Sequence, residues 1–159
     1  MIDKRTWLGL AATVLVAACA TAPTPKTLTD TVAATPQLST LSKLLTDAGM
    51  AGTLREPGPF TVFAPSDEAF KAVPAKTLAE LASDRALLRS VLSFHVMAGE
   101  TLAGDVKNGP AKTLQGASVA LSRAGTFVTV EEAVVTQADV RASNGVLHIV
   151  DRVLLPPKK

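Results

Sequence analysis

The sequence predicts one α+β domain, and three observations carry that expectation. Apolar residues recur at helical spacing through the first two thirds, as in Leu41, Leu44, Leu45 and Ala48 or Leu88, Val91, Leu92 and His95. Beyond residue 100 the pattern changes to short β-branched runs separated by turn residues. Helical and strand patterns segregated along a chain describe an α+β layout and not an alternating one. With 159 residues and 47% apolar, the chain can build one core, and its single cysteine excludes an intramolecular disulfide. A net charge of +2 is too balanced to mark nucleic acid as a partner. Trp7 is the sole tryptophan, tyrosine is absent, and the remaining aromatics are five phenylalanines, which disfavours recognition by exposed aromatic stacking.

The first segment, 1–18, reads as an export signal. Lys4 and Arg5 precede Leu8 to Ala18, eleven residues without a charge, which is the length of a signal core and short of the roughly 20 needed to span a bilayer. From Ala20 to Gln37 the chain is rich in Ala, Thr and Pro. Leu28 and Val32 are its only larger apolar residues, so it is expected to be a linker, with an edge segment around Val32 as the alternative. Fully extended, its eighteen residues would reach about 60 Å. A folded unit is expected over 38–156, with 157–159 as a tail.

Within that unit, Ser39 or Thr40 is expected to cap a first helix that Gly49 ends. Met50 to Leu54 suits a short turn, and Arg55 to Pro59 a loop. Phe60 to Ala64, aromatic and β-branched, is expected to be a buried strand. Ser66 suits the N-cap of a short helix with Asp67 and Glu68 in its first turn. Pro74 breaks that pattern, and Thr77 to Ala82 forms the next helical piece. Ser83 or Asp84 opens the helix that carries Leu88 to His95. Ser118 to Arg123 and Thr126 to Val130 flank the hairpin signal Ala124-Gly125. Val134 to Ala142 leads to Asn144-Gly145, a pair suited to a type I′ turn, and Val146 to Leu154 returns.

Two resemblances sharpen this reading. Leu15-Val16-Ala17-Ala18-Cys19 resembles the lipobox of bacterial lipoproteins. That resemblance implies cleavage before Cys19, acylation of its thiol, and membrane lipid as a partner; Ala20, where enteric inner-membrane lipoproteins carry aspartate, implies the outer membrane. Ordinary cleavage after Ala20 is the alternative. Further on, Phe60 to Phe70 (FTVFAPSDEAF), Leu88 to Gly99 (LRSVLSFHVMAG) and Ala142 to Pro156 (ASNGVLHIVDRVLLP) resemble, in order, three signatures of the fasciclin domain. The resemblance implies a β-sandwich or wedge of about seven strands with several packed helices. It also implies a non-enzymatic envelope protein, active in adhesion or in binding an envelope or extracellular protein, with no cofactor.

Four residues are candidates for binding. Phe94-His95 stands where many relatives have Tyr-His, and Asp139-Val140 where some animal relatives carry an integrin-linked segment. The bland reading is a core histidine and a solvated carboxylate. Ser66, Asp67, His95 and His148 do not by themselves make a triad, since capping explains Ser66 and strand alternation allows His148 to face opposite to Leu147 and Ile149 as a bonded structural residue. Two histidines without converging acids make a poor metal site. A carrier of a small apolar ligand, with a pocket between sheet and helices, is the alternative function.

Overall fold

Two strands that are far apart in the chain form the centre of the molecule. Strand β1 (Phe60–Pro65) lies parallel to the last strand, β7 (Gly145–Val150), in register from Phe60 opposite Gly145 to Pro65 opposite Val150. Both are covered on their two faces, which is why they read as continuous apolar runs. Alternation divides their side chains. Val62, Ala64, Leu147 and Ile149 face a layer of helices, while Phe63 and Val150 face the interior of the sheet.

The computed structural model describes residues 26–157. The helices are α1 (Leu28–Ala34), α2 (Ser39–Asp47), α3 (Asp67–Lys71), α4 (Ala75–Ser83) and α5 (Arg85–Phe94). The other strands are β2 (Val96–Ala98), β3 (Gly109–Lys112), β4 (Ser118–Ala124), β5 (Phe127–Val130) and β6 (Ala133–Ala142). The sheet order is β2-β1-β7-β6-β5-β4-β3. β5 and β6 pair only at Thr129–Val134 and Val130–Ala133. The far ends of the sheet meet through the bridge Met97–Thr113 and the bond from Leu114 N–H to Val96 O (2.8 Å). The result is a nearly closed seven-stranded wedge, in the α+β class the sequence predicts. One apolar cluster lies between the helices and β1/β7; the other, built around Phe63, Phe94, Val119, Val130 and Leu154, fills the wedge.

Most elements fall where their patterns place them, and the departures have physical causes. The expected linker is folded over its described part. Thr27 and Asp30 form a reciprocal capping box that starts α1, and Leu28 and Val32 are buried in the first cluster. Two apolar residues four apart suffice once a surface exists to receive them, and Pro36 opens the next 3-10 turn instead of breaking structure.

Neither Ser39 nor Thr40 caps α2. Leu38 occupies the cap position, and the missing acceptor comes from α3: Asp67 takes bonds from Thr40 N–H (2.8 Å) and the Ser39 hydroxyl (2.7 Å). Burial alone would raise the Asp67 pKa, but these bonds outweigh it and hold the carboxyl below its usual range. Gly49 does end the helix, with φ +70°.

The turn before β7 is shifted by one residue. Ser143 and Asn144 form it, and Gly145 already pairs with Ala142. Gly145 is needed for contact and not for turn geometry, because a Cβ there would overlap the carbonyl of Phe60.

Candidate functional site

The residues singled out in the sequence occupy two environments. Phe94 and His95 close α5 and are internal, each about 2% exposed. Phe94 joins the cluster within the wedge. His95 donates from Nδ1 to the Val91 carbonyl (2.8 Å) and accepts the N–H of Leu154 at Nε2 (3.0 Å). The histidine thus ties the helix end to the segment leaving β7. Burial pushes its pKa down to about 4, against the opposing bond to Val91, so the ring is neutral at physiological pH. Both side chains are almost wholly internal, His95 as a fastening in the core and Phe94 with only an edge reaching a surface cleft.

Asp139 and Val140 lie on β6, where the ladder to β7 slips between Gln137 and Val140. Asp139 has φ +57°, uncommon for a non-glycine residue, and this bulge turns its groups to unusual partners. Its N–H donates to His148 Nδ1 (3.2 Å), and its carboxylate accepts the N–H of Ala103 (2.8 Å). His148 donates from Nε2 to Thr101 O (2.8 Å) and stacks on Phe63 with ring centroids 5.7 Å apart. Burial lowers its pKa, opposed by the bond to Thr101 and by the Asp139 charge. The bulge therefore clamps the loop after β2 through an exposed aspartate and a buried histidine, while Val140 packs its half-buried side chain on the helical core. Asp139 remains solvent-accessible, so of the four candidates it is the one open to a partner.

The two histidines are neutral in opposite tautomers, and backbone groups occupy all four ring nitrogens. Ser66 accepts Ala69 N–H and caps α3, and Asp67 is held by α2. Neither histidine has a nitrogen left to take a proton from a serine, which removes the base a triad needs. Among the described residues no group of three His, Cys, Asp or Glu side chains converges as a metal site.

Asn144 is the residue whose role the sequence does not reveal. Its Oδ1 accepts Leu28 N–H (2.9 Å), and its Nδ2 donates to Leu54 O and Glu56 O (both 2.8 Å). Its own carbonyl accepts Phe60 N–H (3.1 Å). One side chain thus joins α1, the turn before β1 and the β6–β7 turn. The Asn-Gly pair signals a turn, but its long-range bonds exist only in the folded chain.

Among the described residues, two surface hollows stand near these elements. One, of about 420 Å³, lies between the β5–β6 turn and the C-terminal segment, with Phe94, Ala133 and Leu154 at its base and Glu131, Glu132 and Arg152 around it. The other, of about 600 Å³ and wide open, runs along the outer face of α5 past Arg85, Arg89, Ser90, Ser93 and Gln115. No helix among the described residues is long and apolar enough to cross a membrane.

Residues 36–156 match the family described as Fasciclin domain. The chain is 38% identical to Protein sll1483 of Synechocystis sp. over 133 residues, covering 82% of this chain and 74% of that one. It is 39% identical to Immunogenic protein MPB70 of Mycobacterium bovis, over 77% of this chain and 65% of the relative. With Cell surface glycolipoprotein MPB83 of the same species it shares 37% identity over 77% of this chain and 57% of the relative. The FAS1 domain pair of the insect cell adhesion molecule Fasciclin I has the same fold, with a TM-score of 0.65 over 82% of this chain and 51% of that chain, at 19% identity. The chain belongs to the fasciclin domain family. It is related to bacterial surface proteins and carries the α+β wedge of that family. Cys19 lies outside the described residues.

Proposed function

We propose that this protein is a lipid-anchored component of the cell envelope, whose fasciclin domain mediates adhesion or surface protein interaction. The observation that carries the reading is the run Leu15 to Cys19, lipobox-like, placed directly ahead of a fasciclin domain. A relative named a cell surface glycolipoprotein supports it. The mechanism is presentation. Two or more acyl chains on Cys19 make a lasting anchor, because each buried methylene contributes about 0.8 kcal/mol and one chain alone holds marginally.

The fold changes the geometry of that presentation. Lys26, the first described residue, is seven residues on from Cys19, and a chain of that length spans at most about 25 Å. That is less than half the reach of an unstructured linker to residue 37. The domain then works close to the bilayer and meets partners held in, or next to, the same membrane; the outer membrane is the expected one. Asp139 is the exposed family-position residue available to such a partner.

Intact-mass measurement of protein extracted from membranes tests the anchor. Acyl mass on a chain starting at Cys19 is expected, with release of a Cys19→Ala variant from the membrane fraction. A soluble chain starting after Ala20 would refute it. For the adhesion role, deletion of the gene is expected to reduce attachment or aggregation of the cells, with restoration by the wild-type chain.

The cleft of about 420 Å³ favours a second reading, carriage of a small apolar ligand. Its size suits one ligand, yet it is open to solvent, and the Arg152–Glu132 pair (3.6 Å) stands in its wall. Organic extraction of protein purified from its own host, followed by mass spectrometry, is the check; a stoichiometric apolar compound would promote this reading over adhesion.

A further inference from the structure

The outer face of α5 carries an arrangement that neither adhesion nor the core explains. Arg85 and Arg89 are one helical turn apart, so their like charges sit side by side and disfavour each other. Both are exposed, and neither forms an ion pair with a carboxylate among the described residues. The contrast with the other hollow is direct, since Arg152 there is answered by Glu132 at 3.6 Å.

Polar side chains complete the groove beside them. Gln115, from the turn after β3, donates from Nε2 to the Ser90 hydroxyl oxygen (3.2 Å), and its Oε1 accepts Ala117 N–H (3.2 Å). The amide is fixed across the groove with its acceptor used. Ser90, bonded as an acceptor, keeps its own O–H to donate. The helix N-terminus is not the attraction, because Asp84 already accepts the N–H groups of Ala86 and Leu87 (2.9 and 3.0 Å). That carboxylate lies next to Arg85 and lowers the local positive potential, but it does not line the groove. What the groove offers is therefore two guanidinium forks, a hydroxyl donor and a fixed amide, with no carboxylate in its wall.

We propose that the groove along α5, formed by Arg85, Arg89, Ser90 and Gln115, binds a phosphate-type oxyanion. Guanidinium forks match tetrahedral oxyanions bidentately, and one anion between two arginines relieves their repulsion. The groove is wide open, so it admits an anion carried on a larger molecule as well as the free ion. A phospholipid headgroup and a soluble phosphate ester share this chemistry. The inference does not depend on acylation of Cys19.

The test uses the full chain, ¹⁵N-labelled and held in a neutral detergent. It is titrated with inorganic phosphate, with soluble glycerol phosphate, and with short-chain phosphatidylglycerol in the same micelles; phosphatidylcholine is the control. Saturable shifts are expected at the Arg85 and Arg89 Nε–H and the Gln115 side-chain amide with at least one anionic probe. The R85Q/R89Q double variant is expected to bind roughly tenfold more weakly or worse, with its remaining cross-peaks in place. Saturation by the lipid alone assigns a headgroup; saturation by glycerol phosphate assigns a soluble ester; saturation by phosphate ion alone assigns the free ion. No saturable shift with any anion, equal response to phosphatidylcholine, or unchanged binding in the double variant would each overturn the site.

Discussion

At the scale of single residues, buried polar side chains act here as fastenings between backbone segments. His95 shows how this couples to pH. In the unfolded chain it titrates near 6.5, and in the native protein near 4. Between those values the unfolded chain binds a proton that the native state refuses, so stability falls as pH drops through that window and is fully present above it. The loss by pH 4 is about 3 kcal/mol. Urea unfolding of the wild type and of His95→Gln, compared at pH 7 and pH 4.5, should show a smaller pH-dependent loss in the variant. Equal loss in both would assign the acid sensitivity elsewhere. Asn144 makes a different prediction. Asn144→Ala removes three bonds and leaves Leu28 N–H without its partner, an expected cost of roughly 2–4 kcal/mol by denaturant titration. At Asp139, the left-handed conformation is tolerated by asparagine and opposed by β-branched residues. Asp139→Asn should therefore leave the melting temperature nearly unchanged, whereas Asp139→Val should lower it. The role of His95 as a core histidine is foreshadowed by its place on an apolar stripe. Of its two ring partners, the Val91 carbonyl is one turn back on the same helix, but the Leu154 N–H is not foreshadowed, because it lies 59 residues away.

At the scale of elements, α1 is the informative case. Its composition resembles a tether, and seven residues are too few to make a stable helix alone. The capping box and two buried side chains make it part of the fold, held from beyond by Asn144. Leu28→Ala should cost roughly 2–4 kcal/mol, the range for deleting a buried leucine side chain, and proteolysis should then cut between Lys26 and Gln37. Resistance in the wild type and cleavage in the variant are the paired results to seek. Other elements were legible for stated reasons. The stripe Leu88, Val91 and Leu92 marks α5 because it is long and periodic. Strands β2 and β3 escape notice, β2 being only three residues long and β3 opening on Gly109 and Pro110, since partners on neighbouring strands and not their own propensities make them strands.

At the scale of the whole molecule, the parallel pairing of β1 with β7 determines the rest. It brings the first and last strands together, buries both on two faces, and sends the intervening chain around the wedge. Gly145 is the point where this closure is most exposed to mutation. Gly145→Val would drive a side chain into the Phe60 carbonyl and should impair folding more than substitution at Gly49, where no atom lies within 4 Å of the added Cβ. Soluble yield and cooperative melting of the two variants would compare them directly.

The amino-acid sequence alone determined the α+β class, the helix and strand faces that bury, and the family, because apolar period and local signatures are written in neighbouring residues. Tertiary structure alone decided that residues 26–37 fold, that Asp67 caps a helix not its own, and that Asn144 links three segments. It also set Arg85 and Arg89 against Gln115 across an open groove. Each of these depends on groups brought together from distant parts of the chain, and spacing along a sequence carries no record of such meetings.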